Sequence, residues 1–153
     1  MKFTFAIVAV LATAAAPAFA VGDAAKGEMV FKQCQTCHTV ADPDGKVLAG
    51  KNAKVGPNLY GIIGRPAASY PDFKYGEGII AAGAAGLVWD EDKIAVYTQD
   101  PTKFLDEFTG NPKLKSKMAF KLKKPEDGAN VAAYLASLSP AAAPAADAAS
   151  TSP

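Results

Sequence analysis

The sequence Cys34-Gln35-Thr36-Cys37-His38 contains both cysteines and the one histidine of the chain. Two thiols at this spacing can add to the two vinyl groups on one edge of a porphyrin, and the next residue then lies beneath the ring, where its imidazole can bind iron. Covalent attachment also removes the oxidation problem of a free thiol pair in an oxidising compartment. Residues 34–38, here called the Cys34 segment, therefore predict one haem c, bound through Cys34 and Cys37 and ligated by His38.

Other uses of such a segment need partners that this sequence lacks. A structural zinc site takes four protein ligands, and the chain offers two cysteines and one histidine. A thioredoxin-like redox pair needs a βαβ setting, and strand signals are nearly absent. A small structural disulfide would leave the adjacent His38 unexplained.

A second iron ligand follows from elimination among the three methionines. Met1 falls in a predicted signal peptide, and Met29 falls in the first predicted helix, where we expect it to pack. Met118 lies in a lysine-rich segment, where an apolar thioether needs a reason to point inward. Filling a gap in the core explains this position less well than an iron bond does. We therefore expect Met118 to be the second axial ligand.

Both ends of the chain are expected to lie outside the folded domain. Residues 1–20 have a basic start, an apolar run and the cleavage site Ala18-Phe19-Ala20, which is typical of a secretory signal peptide. The run is short for a membrane span, although an uncleaved anchor is the alternative. Residues 140–153 are rich in Ala and Pro and predict a disordered tail, with a tether or partner-binding segment as the alternative. The domain itself is expected over residues 21–139.

The bulk composition permits one packed domain and argues against a nucleic-acid partner. Half of the residues are hydrophobic, and the formal charge is +1. Nucleic-acid binders usually carry a strong basic excess. The signal peptide predicts export, so we expect a soluble protein in the periplasm.

Apolar periodicity predicts helices at both ends of the domain. The first runs over residues 25–33, with Asp23 as its N-cap. One face of this helix carries Gly27, Val30, Phe31 and Cys34. The last begins near Pro125, because proline and acidic residues suit a first turn. Its apolar face carries Val131, Tyr134, Leu135 and Leu138.

Two shorter helices are predicted between these. One follows Asp90, and the other begins at Asp100-Pro101 and runs towards Phe108. By contrast, residues 41–86 contain nine glycines and four prolines and predict a long, irregular segment. Such a segment fits a compact domain only if something other than polypeptide fills the centre.

Taken together, these separated motifs resemble the class I cytochromes c, most closely the bacterial cytochrome c2 type, over residues 22–139. The resemblance implies an all-α fold of four to five short helices, with long loops around one covalent haem. In that family the N-terminal and C-terminal helices cross. Gly27 and Phe31 match the first of them and Tyr134 the second, and the small Gly27 permits the close approach.

The resemblance also implies which residues surround the iron. Gly56-Pro57-Asn58-Leu59 matches the loop whose proline carbonyl accepts a hydrogen bond from the ligating histidine, here Pro57 and His38. Ser116-Lys117-Met118 matches the loop that carries the axial methionine.

Further residues match positions on the periphery of the haem. Arg65, Tyr75 and Trp89 match those that surround or hydrogen-bond the propionates, and Tyr97 matches a residue near the methionine. The chain departs from the shortest family members by extra residues within 42–54 and 104–116. These departures affect only the expected loop shapes.

Two protein ligands on the iron leave no open position for a substrate, so the expected chemistry is the transfer of one electron, without enzymatic activity. The resemblance implies a cytochrome bc complex as donor and a photosynthetic reaction centre or a terminal oxidase as acceptor, met by a monomer in transient docking. The alternatives are a five-coordinate peroxidase or gas sensor, in which Met118 is not bound, and a fixed subunit of a larger enzyme.

Six lysines, here called the lysine cluster, bracket Met118. They are Lys113, Lys115, Lys117, Lys121, Lys123 and Lys124. Acidic residues gather elsewhere, at 90–92, 106–107 and 126–127. This separation predicts a charge dipole that steers the protein onto acidic partner surfaces, although many charge runs are simply solvated loops.

Overall fold

A computed structural model describes residues 22–140. The predicted signal peptide and residues 141–153 of the predicted tail lie outside this part of the chain. The described residues form five helices and one two-stranded sheet. In chain order these are α1 (Ala24–Phe31), β1 (Thr39–Ala41), β2 (Val47–Gly50), α2 (Glu77–Ala84), α3 (Glu91–Gln99), α4 (Pro101–Thr109) and α5 (Pro125–Ser137). The predicted all-α class is confirmed. None of these helices has both the length and the apolar character that a bilayer span requires.

Four of the five described helices, α1, α3, α4 and α5, begin where the sequence predicts. The carboxylates of Asp23, Asp90 and Asp100 accept hydrogen bonds of 2.7–3.2 Å from backbone amides in the first turns of α1, α3 and α4. Pro101 and Pro125 occupy the first positions of α4 and α5, where the missing N–H costs no helical hydrogen bond. Local sequence therefore sets these four starting points.

The first and last helices cross closely, as the resemblance implies. A Cβ added at Gly27 would lie 2.0 Å from the Asn130 carbonyl oxygen, so only glycine permits this approach. The rings of Phe31 and Tyr134 lie 5.6 Å apart between centroids. The Asp23 amide donates to the buried Asn130 side chain at 2.8 Å. The crossing thus joins the two ends of the domain just before the Cys34 segment begins.

The hydrophobic core extends from this crossing to the middle helices. Leu87, Leu105 and Val131 are almost fully buried. α5 also packs against α3, where a Cβ on Gly128 would lie 2.6 Å from the Ala95 carbonyl oxygen. The site residues described below are therefore attached to a packed frame.

The segment 41–86 is more ordered than predicted. It contains α2 and, together with β1, the short antiparallel sheet. The expectation of a long irregular segment holds for residues 51–76 and is wrong at β2 and α2. In and around α2, glycines that read as turn signals serve packing. A Cβ on Gly78 would lie 2.9 Å from the Lys115 carbonyl oxygen, and one on Gly83 would lie 2.5 Å from that of Ala67.

Two predictions for α1 also need correction. The helix ends at Phe31, two residues before its predicted end, and residues 32–37 form turns. The side chain of Met29 is 61% exposed and does not pack in the core. The buried face of α1 is formed by Gly27, Val30 and Phe31 instead.

Candidate haem-binding site

The Cys34 segment folds into a tight turn directly after α1. The Cys34 amide donates to the Phe31 carbonyl at 2.8 Å, and the Cys34 carbonyl accepts from the amides of Cys37 at 3.0 Å and His38 at 2.9 Å. Both thiols are free and half-buried. Burial, followed by the neighbouring Cys37, raises the pKa of the Cys34 thiol to about 11. One turn therefore gathers both thiols and the imidazole of His38.

The imidazole of His38 is held in one orientation. Its Nδ1 lies 2.9 Å from the Pro57 carbonyl oxygen, which can only accept, so Nδ1 carries the proton and Nε2 is left as the ligating nitrogen. Gly56 lies against the ring, since an added Cβ there would be 2.3 Å from Cε1. Burial lowers the pKa of His38, although the Pro57 carbonyl opposes this. The neutral form that binds metals is thus favoured.

Asn58 fixes the loop that carries Pro57. Its side chain accepts from the Ala41 amide at 3.0 Å and donates to the Ala41 carbonyl at 2.7 Å. The Leu59 amide donates to the Thr39 carbonyl at 2.9 Å. The Pro57 carbonyl is therefore held through β1, the strand that follows His38 directly.

Backbone pairing brings Arg65 and Trp89 together. The Trp89 amide donates to the Arg65 carbonyl at 3.0 Å, and the Gly64 amide donates to the Trp89 carbonyl at 2.7 Å. The Arg65 guanidinium donates to the carbonyls of Asn58 at 2.8 Å and Tyr60 at 3.0 Å. Burial lowers its pKa. Two residues 24 positions apart thus share one corner of the domain.

Tyr70 was not predicted as a site residue, but it contacts both Arg65 and Tyr75. The Arg65 guanidinium lies 5.3 Å from the centroid of the Tyr70 ring, within cation–π range. The Tyr70 amide donates to the Tyr75 hydroxyl at 3.2 Å. The one signal in the sequence that could have indicated Tyr70 is an aromatic residue in a stretch rich in proline and glycine.

The segment around Met118 is anchored to both α3 and α4. The Ser116 hydroxyl lies 3.0 Å from the Tyr97 hydroxyl and accepts from the Met118 amide at 3.0 Å. The Ser116 amide donates to the Thr102 hydroxyl at 3.2 Å. Met118 itself is half-buried. Residues 110–124, here called the Met118 loop, are thereby fixed at the position of the predicted ligand.

Aromatic packing supports this anchor. The ring of Tyr97 lies 5.0 Å from that of Trp89 and 5.6 Å from that of Phe104, in edge-on contacts that aromatic pairs favour. Burial raises the pKa of Tyr97, so its hydroxyl remains a neutral hydrogen-bonding group. Trp89 therefore connects the Arg65 corner with the residues behind Met118.

All six members of the lysine cluster are exposed. Some are held by local contacts. Lys121 pairs with Asp100 at 2.7 Å, Lys117 donates to the Lys74 carbonyl at 2.9 Å, and Lys115 donates to the Pro112 carbonyl at 3.0 Å. The cluster therefore forms a charged surface with partly fixed side chains.

The residues present fit a covalently held haem better than another metal centre. No group of three or more His, Cys, Asp or Glu side chains gathers within residues 22–140, so a structural zinc site finds no support there. Two free thiols, an oriented imidazole and a half-buried thioether are the donor set that haem c requires.

Comparison with known proteins places the chain in a family. No family model matches it. It is 56% identical over 138 residues to cytochrome c2 of Cereibacter sphaeroides, covering 88% of this chain and 95% of the relative. It is 54% identical over 138 residues to cytochrome c2 of Rhodobacter capsulatus, and the match covers 90% of this chain and 97% of that relative. The X-ray structure of cytochrome c2 from Rhodobacter sphaeroides superimposes with a TM-score of 0.75 at 56% identity. The superposition covers 76% of this chain and 96% of that structure's chain.

The fold and the Cys34 segment are those of a class I c-type cytochrome. Within that class, the chain belongs to the cytochrome c2 family. It is accordingly a haem c electron carrier.

Proposed function

We propose that Cys34 and Cys37 hold the haem through thioether bonds and that His38 and Met118 are its axial ligands. The observation that carries this proposal is the 2.9 Å hydrogen bond between His38 Nδ1 and the Pro57 carbonyl, which leaves Nε2 for the iron. The anchored Met118 loop supports the second ligand. With both positions occupied by protein, the iron offers no open site, and an open-site peroxidase or sensor is disfavoured.

When bound, the haem supplies a one-electron change at its iron, and the surrounding residues set how readily this occurs. The hydrogen bond that His38 Nδ1 donates to the Pro57 carbonyl makes the imidazole a better donor to the metal. The Met118 thioether favours the ferrous state and raises the potential. Arg65, Tyr75 and Trp89 supply charge and hydrogen-bond donors for partly buried propionates, which need partners. Tyr97 holds the Met118 loop in place through its hydrogen bond with Ser116.

The cellular role follows from export and family. We place the mature protein, without residues 1–20, in the periplasm as a soluble monomer. It takes electrons from a cytochrome bc complex and delivers them to a photosynthetic reaction centre or a terminal oxidase. Each partner is met transiently, and the protein itself catalyses no chemical conversion.

The lysine cluster is proposed as the surface that steers the protein onto acidic partners. Positive charge that brackets Met118 attracts such surfaces over about one Debye length, about 8 Å at physiological salt. We expect the association rate constant with an acidic redox partner to fall steeply between low and high ionic strength. A rate constant that barely changes over this range would contradict the steering.

The axial assignment is tested by spectroscopy on the purified haem-loaded protein. We expect a c-type ferrous-minus-ferric spectrum that addition of carbon monoxide leaves unchanged, because both axial positions are taken. Rapid and complete carbon monoxide binding would mean an open iron, and the protein would then move to the sensor or peroxidase class.

A further inference from the structure

Two aspartates in this chain are followed directly by glycine, and the fold places them in opposite surroundings. They are Asp44 and Asp127. In an Asp–Gly sequence the glycine amide nitrogen can attack the carboxyl carbon of the aspartate side chain, because glycine has no Cβ to hinder the approach. The product is a five-membered succinimide ring. Its formation requires that the backbone can turn into the ring-closing conformation.

Asp44 lies in the exposed turn between β1 and β2. Both Asp44 and Gly45 are exposed. Gly45 has φ +82°, and a Cβ there would meet nothing within 4 Å. Within residues 22–140 no ion pair holds the Asp44 carboxylate. The side chain therefore has room to approach the Gly45 nitrogen.

The hydrogen bonds that hold this turn are local. The Gly45 amide donates to the Asp42 carbonyl at 3.0 Å, and this bond must break before the nitrogen can react. The Asp42 carboxylate accepts from the amides of Asp44 at 3.1 Å and Lys46 at 2.9 Å. An exposed turn of this kind opens at low free-energy cost. The Gly45 nitrogen therefore becomes available while the rest of the domain stays folded.

Asp127 is held where the same reaction would disrupt packing. It lies in the first turn of α5, and its amide donates to the Lys124 carbonyl at 3.1 Å. Gly128 is buried, and a Cβ there would lie 2.6 Å from the Ala95 carbonyl oxygen. Ring closure turns the backbone at Asp127 out of the helical conformation, so α5 must separate from α3. A packed helix opens at a higher free-energy cost than an exposed turn.

We propose that Asp44 is a site of isoaspartate formation and that Asp127 is protected from it by the fold. In the first step the Gly45 nitrogen bonds to Cγ of Asp44, and the carboxyl hydroxyl leaves as water with the proton of that nitrogen. In the second step water opens the ring. Cleavage of the new bond restores aspartate, whereas cleavage of the original peptide bond leaves the chain linked through the side chain, which is isoaspartate. One water leaves and one enters, so the conversion needs no co-reactant.

The product has two properties that follow from its chemistry. Its free α-carboxylate is the group that isoaspartate methyltransferases esterify. Its main chain contains one extra methylene within the turn that Asp42 closes, so we expect the hydrogen bonds of that turn to be lost. The haem attachment turn is held separately, since Gly50 lies against the His38 carbonyl oxygen, 2.7 Å from an added Cβ. The visible spectrum is therefore expected to stay unchanged.

The proposal is tested by ageing the purified haem-loaded protein for several weeks at neutral pH and physiological temperature. Mass spectrometry of proteolytic peptides then measures isoaspartate at both positions. We expect residue 44 to exceed residue 127 by at least about tenfold, the ratio that a difference of about 1.4 kcal/mol in opening free energy gives. An amount at residue 44 that is no greater than at residue 127 would overturn the proposal.

Two controls show whether the fold is the cause. In guanidinium chloride, which removes the fold, we expect both sites to form isoaspartate to a similar extent. A preference for residue 44 that stays the same there would mean that neighbouring sequence, and not the fold, protects Asp127. The variant Asp44→Glu keeps the charge but cannot close a five-membered ring. We expect it to lose most of the methyl groups that an isoaspartate methyltransferase transfers to the aged protein, and wild-type labelling of this variant would contradict the site.

Discussion

The hydroxyl of Tyr97 lies 3.0 Å from the hydroxyl of Ser116. The same Ser116 oxygen accepts the Met118 amide at 3.0 Å. One side chain thus connects α3, which is packed in the core, with the backbone of the predicted iron ligand. A typical hydrogen bond of this kind contributes about 1 kcal/mol to stability. Opening the Met118 loop requires both of these hydrogen bonds of the Ser116 hydroxyl to break.

Removing this hydroxyl is expected to loosen the methionine ligand. In Ser116→Ala both hydrogen bonds are lost, so an external ligand displaces Met118 more easily. We expect imidazole to bind the ferric protein about 5- to 30-fold more tightly, as one or two bonds of about 1 kcal/mol imply. Titration followed in the visible spectrum measures this. Ser116→Thr keeps a hydroxyl and is the control, and equal affinities in all three proteins would contradict the role given to Ser116.

Replacing Met118 tests the ligand directly. We expect Met118→Ala to lose the weak near-infrared absorption of a sulfur–ferric iron bond and to bind carbon monoxide when reduced. Met29→Ala is a matched control, because the Met29 side chain is 61% exposed and lies on α1. A near-infrared band that survives in Met118→Ala would show that another group binds the iron.

The features that could be predicted from the sequence are those encoded locally. Cys34, Cys37 and His38 are adjacent in sequence, and one turn is enough to bring them together. Helix starts at Asp90 and at Asp100-Pro101 depend on a side chain and the amides of the next turn, so they were also predicted.

The features that were missed depend on contacts between distant residues. The helix α2 was hidden because Gly78 and Gly83 look like turn residues, and only the packed structure shows that both lie against carbonyl oxygens. The hydrogen bond between Ser116 and Tyr97 joins residues 19 apart, and no local pattern encodes it. The sheet was missed because β1 and β2 have three and four residues, too few for a clear alternation.

The closest helix crossing gives a stability prediction. In Gly27→Ala the new methyl group would lie 2.0 Å from the Asn130 carbonyl oxygen, so α1 and α5 must separate. We expect a loss of about 1–3 kcal/mol in the free energy of unfolding, which is typical of overpacking. Urea denaturation of the haem-loaded protein measures it.

The control for this variant is a glycine without close neighbours. Gly110 ends α4 with φ +65°, and a Cβ there meets nothing within 4 Å. Gly110→Ala therefore reports backbone strain alone, about 1 kcal/mol. A smaller loss in Gly27→Ala than in Gly110→Ala would contradict steric crowding at the crossing.

The carboxylate of Asp100 gives stability a dependence on pH. The hydrogen bond from Lys121 at 2.7 Å, followed by that from the Lys103 amide at 3.2 Å, lowers its pKa below the ordinary 3.8. A group whose pKa is lower in the folded state stabilises the fold fully above the unfolded value. That contribution is lost as the pH falls through the folded value.

Asp100→Asn separates the ion pair from the helix cap. Asparagine still caps α4, so we expect this variant to lose only the charge interactions of Asp100, with Lys121 and with Lys103. Its urea midpoint is expected to lie below that of wild type at pH 6–7, where Asp100 is ionised, and the two midpoints are expected to converge at a pH well below 3.8. Asp100→Ala removes the cap as well, so it stays less stable than both at every pH. A difference between Asp100→Asn and wild type that persists unchanged into strong acid would show that charge at Asp100 is not its source.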